Sequence, residues 1–276
     1  MNIPEHNQIN NIDRFNGFED VYDQNRPHTP SLVVDLLSNY LQKRPQLVVD
    51  VGCGTGLSTL AWEGRARQII GVEPNADMLG KARQKLALLP EGRQMSFEHG
   101  YSNELPVQTG SADIVTCSQS FHWMEPISTL QEIHRVLAEG GIFAAYDCDW
   151  PPILNWQLER EYEHLIDLAE RLLDEHGDPQ QRAVKRDKST HLQTLHNSGH
   201  FRFVREIVFH NTEPCSAERY TGILLSQGGI QAALKLGAAA RYLESEIDVF
   251  RAMANDVFRG GMINVLFSYR MRLGIK

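Results

Sequence analysis

A glycine-rich turn and a later acidic residue are the parts of this sequence best suited to binding a cofactor. The turn lies within VVDVGCGTG (residues 48–56), and the acid is Glu73. Glycines at the end of a strand allow a tight turn and let backbone N–H groups approach a ligand closely. An acid that ends the next strand can accept hydrogen bonds from both hydroxyls of a ribose. The pattern therefore indicates a site for a cofactor that contains a nucleoside.

The spacing of the glycines distinguishes two classes of cofactor. A dinucleotide needs the pattern G-x-G-x-x-G, in which a helix N-terminus faces the pyrophosphate. Here the third glycine comes one residue early, and Leu57 occupies its place. Asp50 would repel a pyrophosphate but would attract an ammonium group. S-adenosylmethionine carries an ammonium, a sulfonium and a ribose without any phosphate, so these residues favour it over a dinucleotide.

Short apolar runs that alternate with amphipathic segments must position these residues. The pattern predicts strands over 47–51, 68–73, 95–100, 112–120 and 142–149, and helices over 31–41, 75–89 and 126–137, the last of them ending at Gly140-Gly141. Beyond residue 150 it predicts a helix over 158–173, strands over 201–211 and 263–274, and a helical stretch over 216–258 interrupted at Gly228-Gly229. Alternating strands and helices are typical of a parallel sheet that is covered on both faces. Ligands of such sheets bind beyond the carboxyl ends of the strands.

The stretch from about residue 45 to residue 149 resembles the core of class I S-adenosylmethionine-dependent methyltransferases of the type 11 kind. VVDVGCGTG matches the first motif of that superfamily, and VEPNADML (72–79) resembles its second. GYSNELP (100–106) and GSADIVTCSQSFHW (110–123) resemble the third and fourth. The FHW sequence, together with YDQNRPHTP at residues 22–30, is similar to the branch that includes trans-aconitate methyltransferases.

The resemblance implies a fold and an organisation of the chain. The expected fold is α/β and Rossmann-like, with a doubly wound, mostly parallel seven-stranded sheet and helices on both faces. An antiparallel last strand and added helices that form a cap are also expected. One structural domain would then comprise an N-terminal arm over residues 1–30 that closes over the cofactor, a cofactor-binding core over 31–150, and the remaining strands with helical substrate-cap insertions over 151–276.

The resemblance also assigns roles to residues around the cofactor. Asp50 would hold the ammonium directly or through water, Gly52 and Gly54 would pass beneath the methionine moiety, and Glu73 would bind the ribose. Cofactor contacts are also expected from the rest of the loop, from the adenine-covering pair, from the residues after the fourth strand and from the arm: Cys53, Thr55, Gly56, Pro74, Met78, Ser118, Gln119, Tyr22 and Arg26. Arg26 would meet the cofactor carboxylate, although a surface salt bridge is an equal alternative.

One position departs from the family pattern. Family members often have an acid at the position of Tyr101, where it contacts the adenine amino group. With Tyr101 in that place, Ser102 and Asn103 are the residues that could supply a substitute hydrogen bond.

The acceptor side of the site has a candidate base and candidate walls. His122 follows the fourth strand and could remove a proton, because an imidazole titrates near neutral pH. A structural role for His122 is the alternative. Phe121, Trp123 and Trp150 are expected to shape the pocket, and four basic residues could neutralise an acidic acceptor: Arg182, Lys185, Arg186 and Arg219. No metal site is expected. The sequence has no C-x-x-C pair, and Glu161-x-x-His164 is a single pair with the spacing of metal ligands on a helix.

Composition narrows the class of acceptor. The chain has 27 basic and 35 acidic residues and a formal net charge of −8, which disfavours a nucleic-acid substrate. The basic segment 181–188 could still bind RNA, or it could be a solvated loop. The sequence predicts O-methylation of a carboxylate or hydroxyl on a small molecule, with an RNA or protein methyltransferase and a non-catalytic cofactor-binding protein as alternatives. A cytoplasmic monomer or homodimer without a membrane span or secretory signal is expected.

Overall fold

A single mixed β-sheet organises the part of the chain that the computed structural model describes, residues 4–90 and 94–276. Its strands are β1 (Leu47–Val51), β2 (Gln68–Glu73), β3 (Met95–His99), β4 (Ala112–Ser118), β5 (Leu137–Cys148), β6 (Phe203–Cys215) and β7 (Ile263–Ile275). They lie in the order β3-β2-β1-β4-β5-β7-β6. β1 to β5 pair in parallel, whereas β7 is antiparallel to both β5 and β6. The predicted α/β fold with an antiparallel last strand is confirmed.

Helices cover both faces of the sheet and extend beyond it. In the described residues they are α1 (Ile9–Asp13), α2 (Glu19–Asn25), α3 (Ser31–Leu41), α4 (Leu57–Leu60), α5 (Ala76–Ala87), α6 (Pro126–Val136), α7 (Trp156–His176), α8 (His191–Asn197), α9 (Ala217–Leu225), α10 (Gly228–Leu234) and α11 (Ala240–Phe258). The helices α7, α9, α10 and α11 pack against one another. Within the described ranges, no helix is both long enough and apolar enough to cross a bilayer.

The two faces of the central strands enter separate apolar cores. Val48 packs in one core together with Ile114, whereas Val49 packs in the other together with Val115. Side chains alternate between the two faces of a strand, so a strand covered on both sides needs an apolar residue at nearly every position. This requirement explains why the run 47–51 is apolar except for Asp50.

The Gly140-Gly141 pair does not end a helix, contrary to the sequence prediction. Helix α6 ends at Val136, and strand β5 begins at Leu137, so both glycines lie within the strand. The pairing of β4 with β5 shifts register at this point, and Gly140 has a φ of 75°. A left-handed residue in a strand accommodates such an irregularity, and glycine adopts that conformation without strain.

The arm of the described chain, residues 4–30, consists of α1, α2 and their connections. Residues 1–3 of the predicted arm lie outside the described residues. The arm contacts α5 and α9 through α2, and Phe18 is its deeply buried apolar residue. The arm therefore lies across the carboxyl ends of the strands, between the sheet and the packed helices.

A phenyl ring packs directly on the backbone beneath the glycine-rich turn. A Cβ atom built on Gly71 in β2 would lie 2.6 Å from Cδ1 of Phe97 and 2.9 Å from Sγ of Cys53. A Cβ atom on Gly56 would lie 2.7 Å from Cζ of the same ring. The close contact of β3, β2 and the turn therefore depends on residues without a side chain.

We predict that Gly71→Ala destabilises the protein by about 1–3 kcal/mol, since the added methyl group overpacks this contact. The matched control is Gly80→Ala in α5, where a Cβ atom would meet nothing within 4 Å. The control should be neutral or slightly stabilising, because alanine is the better helix former. Urea denaturation of both variants measures the difference, and equal midpoints would contradict the packing argument.

Candidate active site

The carboxylate of Asp50 holds the turn after β1 in place. It accepts hydrogen bonds from Ser58 Oγ at 2.6 Å, Thr59 Oγ1 at 2.7 Å and Thr116 Oγ1 at 2.8 Å. Burial raises the pKa of Asp50, and these three hydroxyls act in the opposite direction by stabilising the charged form. The side chain is fully buried and does not line the adjoining cavity. The carboxylate that the sequence assigned to the cofactor ammonium, directly or through water, also organises the turn.

The carboxylate of Glu73 connects two neighbouring elements at the same edge of the sheet. Oε2 accepts the N–H of Gly54 at 2.8 Å, and Oε1 accepts the N–H of Asn75 at 2.9 Å. Burial raises the pKa of Glu73 to about 7, with the two N–H bonds lowering it and the nearby Asp50 raising it further. Glu73 is therefore a buried acid that titrates near neutral pH and faces the cavity.

Asn75 begins α5 and fastens the arm to the sheet. Its side-chain oxygen accepts the N–H of Met78 at 3.0 Å, which caps the helix. Its side-chain amide donates to the backbone oxygen of Ile12 at 2.9 Å and to Oδ1 of Asn16 at 2.7 Å. One short polar side chain thus sets both the start of the helix and the position of the arm above it.

The arm, the turn and the strand ends line a first cavity that is partly open to solvent. The structure brings ten of the predicted site residues to its walls: Tyr22, Gly52, Gly54, Glu73, Pro74, Met78, Ser102, Ser118, Gln119 and Trp123. Gln119 leaves β4 with a φ of 52°, a left-handed conformation that is uncommon for a residue other than glycine. Such strain often marks a functional position.

Other predicted residues lie near this cavity but not on its walls. Asp50, Cys53, Thr55, Gly56, Tyr101, Asn103 and Arg26 are in this group. Tyr101 packs edge-on against His99. Asn103 donates to the backbone oxygen of Glu5 and accepts from Asn7, each at 2.8 Å, so it contacts the arm.

Sequence reasoning missed most of the arm's contribution to the first cavity. The walls that it did not anticipate are Asn7, Gln8, Asn11, Ile12, Phe15, Val51, Gly100, Ser120 and Met124. The available signal was the density of asparagine and aromatic residues in an otherwise featureless segment. Neither feature has a periodicity that points to a site.

The donors and charges of the first cavity suit S-adenosylmethionine. Among the described residues, no lysine or arginine lines it, whereas the acid Glu73 does. A cation such as a sulfonium is favoured beside a buried carboxylate, and a pyrophosphate without a basic partner is disfavoured. Phe15, Met78 and Trp123 provide apolar surface for a purine.

A second chamber adjoins the first cavity, and the two share Phe15, Tyr22, Gln119 and Trp123 as walls. The predicted residues His122, Trp150, Arg26, Arg182 and Lys185 line this chamber, together with Arg14 and Lys188. Glu170 is the acid found on its walls among the described residues.

Three residues predicted for the acceptor side lie elsewhere. Phe121 is buried behind the chamber against Phe143, with ring centroids 5.6 Å apart. Arg186 donates to the backbone oxygen of Met124 at 2.9 Å, and Arg219 forms an ion pair with Glu213.

Arg26 lies between two aromatic rings of the second chamber. Its guanidinium carbon is 4.9 Å from the ring centroid of Tyr22 and 4.7 Å from that of Trp150. One terminal nitrogen donates to the backbone oxygen of Ser226 at 2.9 Å and to Oε1 of Gln227 at 3.0 Å. The residue is 8% exposed and forms no surface salt bridge among the residues that the structure describes.

His122 lies at the edge of a buried cluster of charges. Its Nδ1 is 3.4 Å from Oδ1 of Asp147, the same oxygen that lies 2.8 Å from Nζ of Lys188. Burial lowers the pKa of His122 to about 3, although the contact with Asp147 acts to raise it. The pKa of Asp147 is itself lowered by His122 and Lys188 against the effect of burial. His122 is therefore a neutral imidazole at physiological pH.

Comparison with known proteins agrees with this geometry. Residues 49–145 match a family model described as a methyltransferase domain. This part of the chain is therefore similar to methyltransferase domains. S-adenosylmethionine is the cofactor of the class I methyltransferases that the sequence resembles, in agreement with the spacing of the glycines and the charge of the first cavity.

Relatives of the methyltransferase domain occur in bacteria and fungi. The chain is 32% identical over 120 residues to an uncharacterised methyltransferase of Mycobacterium tuberculosis, covering 44% of this chain and 46% of that protein. It is 24% identical over 180 residues to a probable S-adenosylmethionine-dependent methyltransferase of Saccharomyces cerevisiae, covering 60% of this chain and 62% of that protein. The chain thus spans about half the length of the first of these curated relatives.

Solved structures share the fold well beyond the matched domain. A "putative type II methyltransferase" from Anaeromyxobacter dehalogenans superposes with a TM-score of 0.63 at 18% identity, covering 91% of this chain and 97% of that one. A phosphoethanolamine N-methyltransferase of Haemonchus contortus gives a TM-score of 0.56 at 12% identity, covering 99% of this chain and 61% of that one. At these identities the likeness concerns the fold.

We predict opposite pH trends for cofactor affinity and for stability, both caused by Glu73. If Glu73 binds the ribose as the sequence predicts, its ionised form accepts those hydrogen bonds, so the affinity for S-adenosylhomocysteine should fall about tenfold from pH 8 to pH 6, the change in ionised fraction for a pKa near 7. Because the pKa of Glu73 is raised on folding from 4.5 to about 7, the folded protein binds the proton more tightly between these values. The contribution of Glu73 to the stability of the ligand-free protein should therefore rise as pH falls through 7.

Calorimetric titration and urea denaturation at pH 6, 7 and 8 measure the two trends. The control is Glu73→Gln, which should bind the ligand more weakly at pH 8 and lose the pH dependence that distinguishes the wild type. An affinity that changes with pH equally in both proteins would assign the titration to another group.

Proposed function

We propose that this chain is an S-adenosylmethionine-dependent methyltransferase that methylates a carboxylate oxygen of a small acid held in the second chamber. The products would be a methyl ester and S-adenosylhomocysteine. The observation that carries the proposal is the difference in charge between two adjoining spaces. The first cavity has an acid and no base on its described walls, and the second chamber has several bases and one acid.

The basic residues of the second chamber favour an anionic acceptor. Of the chamber's basic residues, Arg182 and Lys188 have carboxylate partners of their own, in Glu170 and Asp147 respectively. In the part of the chain that the structure describes, Arg14 and Arg26 form no ion pair. Unpaired guanidinium groups on the wall of a partly enclosed chamber are suited to a carboxylate, which they can bind in a bidentate manner.

The walls of the second chamber favour a small acceptor over a macromolecule. They come from the arm, from α7, from residues 182–188 of the basic segment 181–188 and from the start of α10. These elements meet around the chamber. A protein or RNA chain would have to displace several of these elements to reach the boundary at Gln119. The net charge of −8 further disfavours RNA.

The chemistry demands alignment more than acid–base catalysis. The cofactor supplies a methyl group on a sulfonium, so the carboxylate oxygen forms the new C–O bond while the electron pair of the broken C–S bond stays on sulfur. Holding the acceptor in line can contribute roughly 7–11 kcal/mol to lowering a barrier of this kind. In this chain Tyr22, Gln119 and Trp123 separate the two spaces, and they would set the angle of approach.

His122 is not required as a base for such an acceptor. A carboxylic acid is already ionised at neutral pH, so there is no proton to remove. A neutral imidazole whose pKa is about 3 is also a weak base. We propose that His122 orients the chamber wall: its ring contacts Trp123, and its backbone oxygen accepts the N–H of Arg186 at 2.9 Å.

The direct test is turnover by the full chain with a panel of small acids. We expect S-adenosylhomocysteine and a base-labile methyl ester with at least one carboxylic acid, and neither product with the matching amides and alcohols. Mass spectrometry detects both products. Methylation only of alcohols, RNA or protein would contradict the proposed acceptor, and cofactor binding without turnover of any acceptor would contradict the proposed activity.

We predict that His122→Gln lowers kcat by less than tenfold at pH 7.5. Loss of a general base usually lowers kcat by a factor of about 10²–10⁴. The size of the loss therefore distinguishes a catalytic base from a residue that only orients the chamber wall. The measurement is steady-state kinetics with the acid found in the panel, after the thermal midpoint of the variant confirms that it folds. A loss of a hundredfold or more that an added imidazole buffer restores would establish a base at this position.

A further inference from the structure

We propose that Arg14 is the specificity-determining residue for the anionic acceptor, and that the arm brings it into the second chamber only when the arm also covers the first cavity. This inference rests on the proposed function, because it names a residue that selects the acceptor of that reaction. No motif in the sequence points to Arg14, which lies in the segment between two short arm helices.

Among the described residues, the guanidinium of Arg14 contacts an aromatic ring but forms no hydrogen bond or ion pair. Its central carbon is 3.7 Å from the ring centroid of Trp123, a wall shared by both spaces. Its Nε is buried and makes no hydrogen bond. Burial lowers the pKa of Arg14 to about 10, with Glu170 opposing the shift, so the group remains charged at neutral pH. Arg14 is partly buried, and its Nε is a buried donor that lacks an acceptor, which is unfavourable unless a ligand provides one.

The start of α10 is shaped to admit this side chain. A Cβ atom built on Gly228 would lie 2.2 Å from Nη2 of Arg14 and 2.9 Å from its central carbon. The φ angle of Gly228 is not in the left-handed region, so its backbone does not itself require glycine. A side chain at this position would therefore displace the guanidinium of Arg14 from the place that it occupies. Gly228, the first residue of α10, leaves open the volume that Arg14 fills.

The arm links the two spaces mechanically. Asn7, Asn11 and Phe15 of the arm line the first cavity, and Arg14, on the same short stretch, lines the second chamber. Asn11 fixes this stretch, because its side-chain amide donates to the backbone oxygens of Trp123 at 2.8 Å and Val184 at 3.0 Å.

The side-chain oxygen of Asn11 also bonds to the same segment, because it accepts the N–H of Val184 at 2.7 Å. Asn11 thereby joins the arm both to the turn after β4 and to the basic segment 182–188. The arm cannot leave the first cavity without removing Arg14 from the second chamber. Contacts between the cofactor and the arm would therefore favour the position in which Arg14 can bind the acceptor, and the affinities for the two ligands should be coupled.

The test uses the full chain with phenylacetate and succinate as probe anions, and phenylacetamide as the neutral counterpart. Calorimetry measures the binding of each probe with and without saturating S-adenosylhomocysteine. We expect the wild type to bind at least one carboxylate, at least tenfold more tightly when S-adenosylhomocysteine is present, and to bind the amide weakly.

Two variants of Arg14 separate its charge from its shape. Arg14→Met keeps the length of the side chain and should weaken carboxylate binding at least tenfold without changing the affinity for S-adenosylhomocysteine. Arg14→Lys keeps the charge, so its affinity for carboxylates should lie between that of the wild type and that of Arg14→Met. The matched control is Arg251→Met, which removes an exposed arginine of α11 that pairs with Asp248, and it should bind both ligands as the wild type does.

Two further variants test the supporting contacts. Gly228→Ala should weaken carboxylate binding as Arg14→Met does, whereas Gly80→Ala should not. Asn11→Ala should weaken the binding of both the carboxylates and S-adenosylhomocysteine, because it removes the hydrogen bonds that hold the arm.

The outcomes distinguish failure of this inference from failure of the proposed function. Equal carboxylate affinity in the wild type and Arg14→Met would overturn the role of Arg14 and leave the proposed acceptor class standing. Carboxylate affinity that is unaffected by S-adenosylhomocysteine would overturn the coupling through the arm. A wild type that binds S-adenosylhomocysteine but none of the carboxylates would overturn both the inference and the proposed acceptor.

Discussion

The geometry of the site depends on one buried carboxylate, that of Asp50. It sits at the end of β1 with no exposed surface and accepts hydrogen bonds from Ser58, Thr59 and Thr116. These donors belong to α4 and β4, so a single charged group fixes the turn, the helix after it and the neighbouring strand. An unsatisfied buried partner costs about 1–3 kcal/mol, and more when it is charged. The turn is therefore held by hydrogen bonds that do not depend on a ligand.

Much of the fold could be predicted, because strands buried on both faces leave a local signal in their apolar runs. The strands β1, β2, β4 and β5 follow from that signal, whereas the last two strands were predicted from the alternation of their side chains. Contacts that depend on distant elements could not be predicted. The hydroxyls that surround Asp50 come from α4 and β4, and the place of Gly140 within a strand depends on the register of β4 and β5. No sequence pattern indicates a role for Arg14, because the residues around it, Trp123 and those at the start of α10, are distant in the sequence.

The separation of charge between the two spaces is the feature that connects fold to function. Glu73 places a carboxylate at the first cavity, and the arm and the segment 182–188 place cations around the second chamber. A cationic methyl donor and an anionic acceptor would each be drawn to the space of opposite charge. The arm forms part of the wall of both spaces, so a segment without sequence motifs determines how the two are aligned.

A co-crystal structure with S-adenosylhomocysteine would show directly whether the cofactor occupies the first cavity. We expect the ribose hydroxyls on Glu73, the adenine beside Met78, and the sulfur atom facing Gln119 and Trp123 toward the second chamber. Difference density for an anion on Arg14 or Arg26 would complete that arrangement. Adenosine bound in the second chamber among its basic residues, or sulfur facing away from the boundary that the two spaces share, would contradict it.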